Sequence, residues 1–91
     1  MTTRFERDAG DAYEVWLDAN PAGYVLNHFG GSNPRENVVH RATCPHLHRP
    51  EDRGRRTEVP KVCGSAFDVW AAASELCGRA GWTGCGTCGD A

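Results

Sequence analysis

The sequence predicts a small α+β domain, and three observations carry that expectation. Two runs rich in β-branched and aromatic residues, separated by a cluster of turn residues, lie between residues 23 and 42. A capped helix with one apolar stripe follows near residues 65–78. Four side chains with metal-binding atoms, His40, Cys44, Cys85 and Cys88, frame that helix in two pairs, H-x3-C and C-x2-C. Thiolate sulfur and imidazole nitrogen are the donors of closed tetrahedral zinc sites, which are structural rather than catalytic. The expected architecture is therefore one zinc-stapled domain over residues 1–91, with a short antiparallel sheet, an N-terminal helix and one long C-terminal helix.

The size of the chain makes a staple reasonable. Ninety-one residues lie near the length at which a hydrophobic core alone is marginal and a metal often assists. Apolar residues at 40% against 24% charged place the chain among globular rather than disordered proteins.

Taken in order, residues 8–20 read as a short helix. Ala12, Val15, Trp16 and Ala19 follow helical spacing, Asp8 or Asp11 is placed to cap the start, and Asn20-Pro21 ends it. Residues 23–29 form the first strand, Gly30-Gly31-Ser32-Asn33-Pro34 the turn, and residues 37–42 a second strand, giving an antiparallel hairpin with His40 near its end. Cys44-Pro45 resembles a helix start, because proline suits the first helical position. Residues 49–58 are almost devoid of apolar side chains and read as an exposed loop. Val59, Val62 and Cys63 suggest a third short strand, which Pro60 would make an edge strand or an interrupted one. In the last helix Ser65 caps the start, with Asp68 completing an acidic variant of the capping box. Ala66, Val69, Trp70, Ala73, Leu76 and Cys77 form its apolar stripe, and Gly78 or Gly81 stops it.

The C-x2-C pair is the stronger half of the metal signal, since Gly84, Gly86 and Gly89 leave the backbone able to turn around the sulfurs. Five cysteines leave one over in any disulfide scheme, and no apolar h-region or membrane-length run is seen, so a reducing, cytoplasmic setting is expected. Cys77, on the helix stripe, and Cys63 read as buried thiols, with Cys63 an alternative ligand. His46 and His48 read as exposed loop residues that could extend a metal site.

Charge is unevenly distributed. Residues 1–31 hold two arginines against five acids, residues 32–64 seven basic residues against four acids, and residues 65–91 one arginine against three acids. The positive segment adjoins the first ligand pair, and Arg41, Arg53, Arg55 and Arg56 are the candidate phosphate contacts.

Three stretches, Tyr24-Val25-Leu26-Asn27, Val39-His40-Arg41-Ala42-Thr43-Cys44-Pro45 and Gly81-Trp82-Thr83-Gly84-Cys85-Gly86-Thr87-Cys88, resemble the Ada-type metal-binding domain over roughly residues 23–88. The resemblance implies a small domain in which both ligand pairs hold one zinc, and DNA as the partner. In the family's repair enzyme the first ligand is a cysteine whose thiolate accepts a methyl group from damaged DNA phosphate. His40 takes that place here, and the insert between the pairs is longer. An imidazole does not serve as that acceptor in the same way, so methylphosphotriester repair falls behind a non-catalytic DNA-binding module. The rival is a protein-interaction module that meets its partner through the acidic first helix or exposed tryptophans. Neither reading calls for a membrane or a small-molecule substrate.

Overall fold

A computed structural model of the chain describes residues 1–86. Five short strands form one sheet: β1 (Thr3–Phe5), β2 (Tyr24–Asn27), β3 (Val38–Arg41), β4 (Lys61–Gly64) and β5 (Thr83–Gly84), in the order β1-β4-β2-β3-β5. Every pairing is antiparallel except β3 with β5. Helix α1 (Ala12–Ala19) and helix α2 (Ala66–Cys77) complete the α+β architecture, with 3-10 turns at Pro45–Leu47, Pro50–Asp52 and Arg56–Glu58. Among the described residues no helix is long and apolar enough to cross a membrane.

Strand alternation divides the core between the two faces of the sheet. Leu26, Val39 and Val62 project to one face and pack with Val69, Ala73 and Cys77 of α2. Val25 and Cys63 project to the other and pack with Tyr13 and Leu17 of α1, Leu47, Cys44 and Cys85. His40 is one residue from Val39, so parity aims it at the α1 face. Truncating a fully buried residue such as Leu26 would cost about 2–5 kcal/mol.

The expected antiparallel hairpin of β2 and β3 forms, with Val25 opposite His40 and Leu26 opposite Val39. The α2 cap also forms: the Asp68 backbone N–H donates to Ser65 Oγ at 3.3 Å, and Gly78 ends the helix at φ 87°. The stripe is narrower than spacing suggests, because Leu76 and Trp70 reach the surface while Val69, Ala73 and Cys77 are buried. Trp70 still contacts the hairpin, its ring centroid 6.1 Å from that of Tyr24.

Four expectations are corrected. Helix α1 begins at Ala12 rather than near residue 8, and Asp11 makes no side-chain cap. Its buried face is Tyr13 and Leu17, whereas Val15 is 60% exposed. The aromatic ring and the leucine are the larger apolar pair at i, i+4, and burying them outweighs burying valine and alanines. β4 is an interior strand, because Pro60 lies just before it and β1 pairs on its far side. The 49–58 segment is not simply an exposed loop: it folds into two 3-10 turns, with Thr57 buried and Arg56 only 10% exposed.

Candidate metal centre

Strand β3 is the base on which the candidate site is assembled. His40 sits on it, next to its last residue, Arg41. The chain then turns, with the Cys44 backbone N–H donating to the Arg41 carbonyl at 2.9 Å, and Pro45 opens a 3-10 turn that carries His46. His48 secures that turn from below, its Nε2–H donating to the Ala42 carbonyl at 2.8 Å. Cys85 arrives from the other end of the chain. β5 runs parallel to β3, and the Cys85 backbone N–H donates to the Val39 carbonyl at 2.9 Å, placing Cys85 beside His40.

The result is a cluster of four donors, His40, Cys44, His46 and Cys85, whose ligand atoms all lie within 4.8 Å of one another. Cys44 Sγ and Cys85 Sγ are 3.9 Å apart, far beyond a disulfide bond between them. Two thiolates each about 2.3 Å from a tetrahedral zinc would stand about 3.8 Å apart, and a thiolate and an imidazole nitrogen about 3.6 Å. Cys85 Sγ and His46 Nδ1 are 3.7 Å apart. The spacing suits a small tetrahedral ion.

The chemistry of the donors agrees. His40 is 5% exposed, and its Nδ1 is buried without a hydrogen-bond partner. Burial first, then the charges of His46 and Lys61, hold its pKa down at about 4, so the ring is neutral at physiological pH, as a metal ligand must be. An orphaned, buried imidazole nitrogen would otherwise cost about 1–3 kcal/mol of desolvation. A bound cation would satisfy it.

No described protein family, curated protein or solved structure matches this chain.

Three of the four expected ligands, His40, Cys44 and Cys85, are brought together, and the fourth, Cys88, lies outside the described residues. His46 joins them although it is exposed, as the sequence predicts. The signal for it was local: His46 lies two residues after Cys44 on a proline-initiated turn, which keeps its ring close to that thiol. Cys63 and Cys77 are core thiols outside the cluster, Cys63 with its pKa pushed up by burial to about 12.

The candidate phosphate contacts are spread out. Arg41 is exposed on the α2 face, its guanidinium 5.8 Å from the Tyr24 ring centroid. Arg53 is exposed, and Arg55 is 3.7 Å from Asp52. Arg56 is committed to the fold, donating to Glu14 of α1 and to the Arg49 carbonyl, each at 3.0 Å.

Proposed function

We propose that this chain is a small, non-catalytic binding module whose fold is held by one zinc ion, and that its partner is DNA. The observation that carries the zinc reading is the convergence of His40, Cys44 and His46, from the middle of the sequence, with Cys85, some 40 residues later, onto one 4.8 Å cluster. His40, Cys44 and Cys85 are the fixed ligands, and His46 and Cys88 contend for the fourth position. Either choice closes the coordination shell and leaves no position for substrate, which favours a structural ion. Elemental analysis of the purified protein tests this directly. One zinc per chain, lost with chelator together with the cooperative melt, is expected; a metal-free protein that is fully folded would overturn it.

For the partner, the supporting observation is Arg41. It follows ligand His40 in sequence and rests over Tyr24, which in turn contacts Trp70. A pre-positioned guanidinium beside two aromatic rings suits phosphate contact and base stacking. The likeness of the ligand segments to Ada-type domains points the same way. A protein partner is favoured by one different observation, Phe67 standing 78% exposed on α2. Salt separates the two, because binding through several phosphates weakens steeply as salt rises.

A further inference from the structure

A cavity of about 370 Å³ opens between α1, the start of β4 and the 3-10 turns, with the side chain of His46 in its wall. That volume lies at the lower end of the range for small-molecule sites. Its floor holds an unusual group. Lys61 is 6% exposed, and among the described residues its ammonium makes no hydrogen bond or ion pair; it stands 6.0 Å from the Tyr13 ring centroid, and Asp52 across the cavity attracts it only through space. The other two cations of the wall are already paired, Arg55 with Asp52 and Arg56 with Glu14. Two further buried donors there, the Tyr13 hydroxyl and Arg56 Nε, lack an acceptor, and one buried acceptor in the wall, Asn27 Oδ1, lacks a donor. A buried ammonium without a hydrogen-bonded counter-ion is costly, and three unanswered donors against one acceptor around one space favour an oxyanion.

We propose that this cavity binds the carboxylate of a small, apolar monocarboxylic acid, with Lys61 as the counter-ion and the Tyr13 hydroxyl as a second donor. The charge of the wall selects the class: Arg55 is paired with Asp52 and Arg56 with Glu14, so Lys61 is the cation of the wall without an ion pair, and Glu58 opposes a second negative charge, matching a monoanion rather than a phosphate dianion. Phe29, Leu47 and Val59 supply apolar wall for the body of the acid. The assignment does not depend on the identity of the metal or on DNA binding.

The test is a titration of the zinc-loaded full chain, followed by amide and side-chain NMR shifts, with sodium butyrate as the probe and butan-1-ol and inorganic phosphate as comparators. Butyrate is expected to give saturable shifts at Asn27, Phe29 and Lys61 in the millimolar range, with butan-1-ol and phosphate each at least about tenfold weaker, the loss of one charge-assisted contact. Lys61→Met should weaken butyrate by a similar factor while keeping its zinc. Equal binding of butan-1-ol would reduce the site to an apolar cleft and overturn the assignment. So would tighter binding of phosphate, shifts centred on the metal ligands that survive Lys61→Met, or no saturable shift at all. If Lys61→Met fails to fold, the comparison of butyrate with butan-1-ol on the unaltered chain decides alone.

Discussion

The Asn37 side-chain amide donates to the Gly81 carbonyl at 3.1 Å, across 44 residues of chain. Asn37 is fully buried, and the same amide also reaches the carbonyls of Gly30, Gly31 and Asn33, while its Oδ1 accepts from the Phe29 backbone N–H at 3.1 Å. One side chain thus closes the connection between β2 and β3 and ties it to the segment that delivers Cys85. The Thr83 backbone N–H then bonds the Asn37 carbonyl, starting β5. Gly81 is held in place by space as well: a Cβ there would fall 1.8 Å from the Cys77 carbonyl oxygen.

Asn37→Ala should therefore act on the metal site without touching a ligand. Leaving several buried carbonyls unanswered is expected to cost roughly 2–4 kcal/mol in denaturant melts of the zinc-loaded protein. Zinc affinity in chelator competition should fall too, because Cys85 is no longer delivered beside β3. Gly81→Ala should be the more severe of the two. Asn37→Ala with unaltered stability would show that the turn glycines alone position β5.

Substitution with cobalt counts the thiolates at the site through their charge-transfer absorption. The wild-type chain should show three, from Cys44, Cys85 and Cys88. Cys88→Ala should show two and keep its ion more weakly, with His46 completing the shell. His40→Ala, Cys44→Ala or Cys85→Ala should unfold the domain or sharply lower its melting temperature, since metal binding and folding are coupled. Cys77→Ala, on the α2 face, should leave metal content unchanged. A double His46→Ala, Cys88→Ala chain that still holds the ion would show that the fourth ligand is neither.

Cys63 should behave as a core group and not as a ligand. Its thiol pKa is raised by burial from an ordinary 9.0 to about 12, with Lys61 opposing that rise. A raised folded-state value means that the group adds stability below pH 9, which is lost as pH climbs from 9 through 12. Cys63→Ser should retain zinc, lose modest stability and flatten that alkaline decline. In the folded wild-type protein at neutral pH, iodoacetamide should leave Cys63 unmodified, because the thiolate is the reactive form. Rapid labelling under native conditions, read by peptide mass, would contradict the burial argument.

Periodic and capped elements were legible in the chain, and long-range pairings were not. Ser65, Asp68 and the Val69-Ala73-Cys77 spacing define α2 through interactions within four residues, so sequence alone reaches them. The hairpin is legible for the same reason, since its two runs alternate around a glycine-rich turn. β1 is only three residues of ordinary polarity and exists because β4 offers it an edge, which no local pattern announces. That pairing also makes β4 interior, so Pro60 marks the strand's beginning and not an exposed border. At the candidate site, ligand chemistry was legible in His40, Cys44 and Cys85. The parts that depend on tertiary approach were not: the approach of His46 to Cys85, the Asn37 tie, and the burial of Lys61 without an ion pair.

DNA binding should be read through Arg41 and the exposed loop arginines, with Arg56 left alone. Arg56 is pinned to Glu14 with its side chain 10% exposed, so Arg56→Glu would place two acids together and disturb the packing of α1 before any ligand was added. Arg53→Glu with Arg55→Glu instead alters exposed side chains, and only the weak 3.7 Å pair with Asp52 is lost. That double change should weaken binding to any duplex and flatten its salt dependence at constant zinc content. Arg41→Ala should cost more than either loop change alone, because its guanidinium already rests over Tyr24 and loses less freedom on contact. Removing one phosphate contact should lower the slope of log affinity against log salt by about 1. Tyr24→Ala gives the second readout: it should reduce affinity for single strands more than for duplex if the ring stacks on bases. No mobility shift of the zinc-loaded protein with either form of DNA at low salt would end the nucleic-acid reading. The exposed Phe67 on α2 would then be the place to begin a search for a protein partner, with Phe67→Ser as the variant expected to lose it.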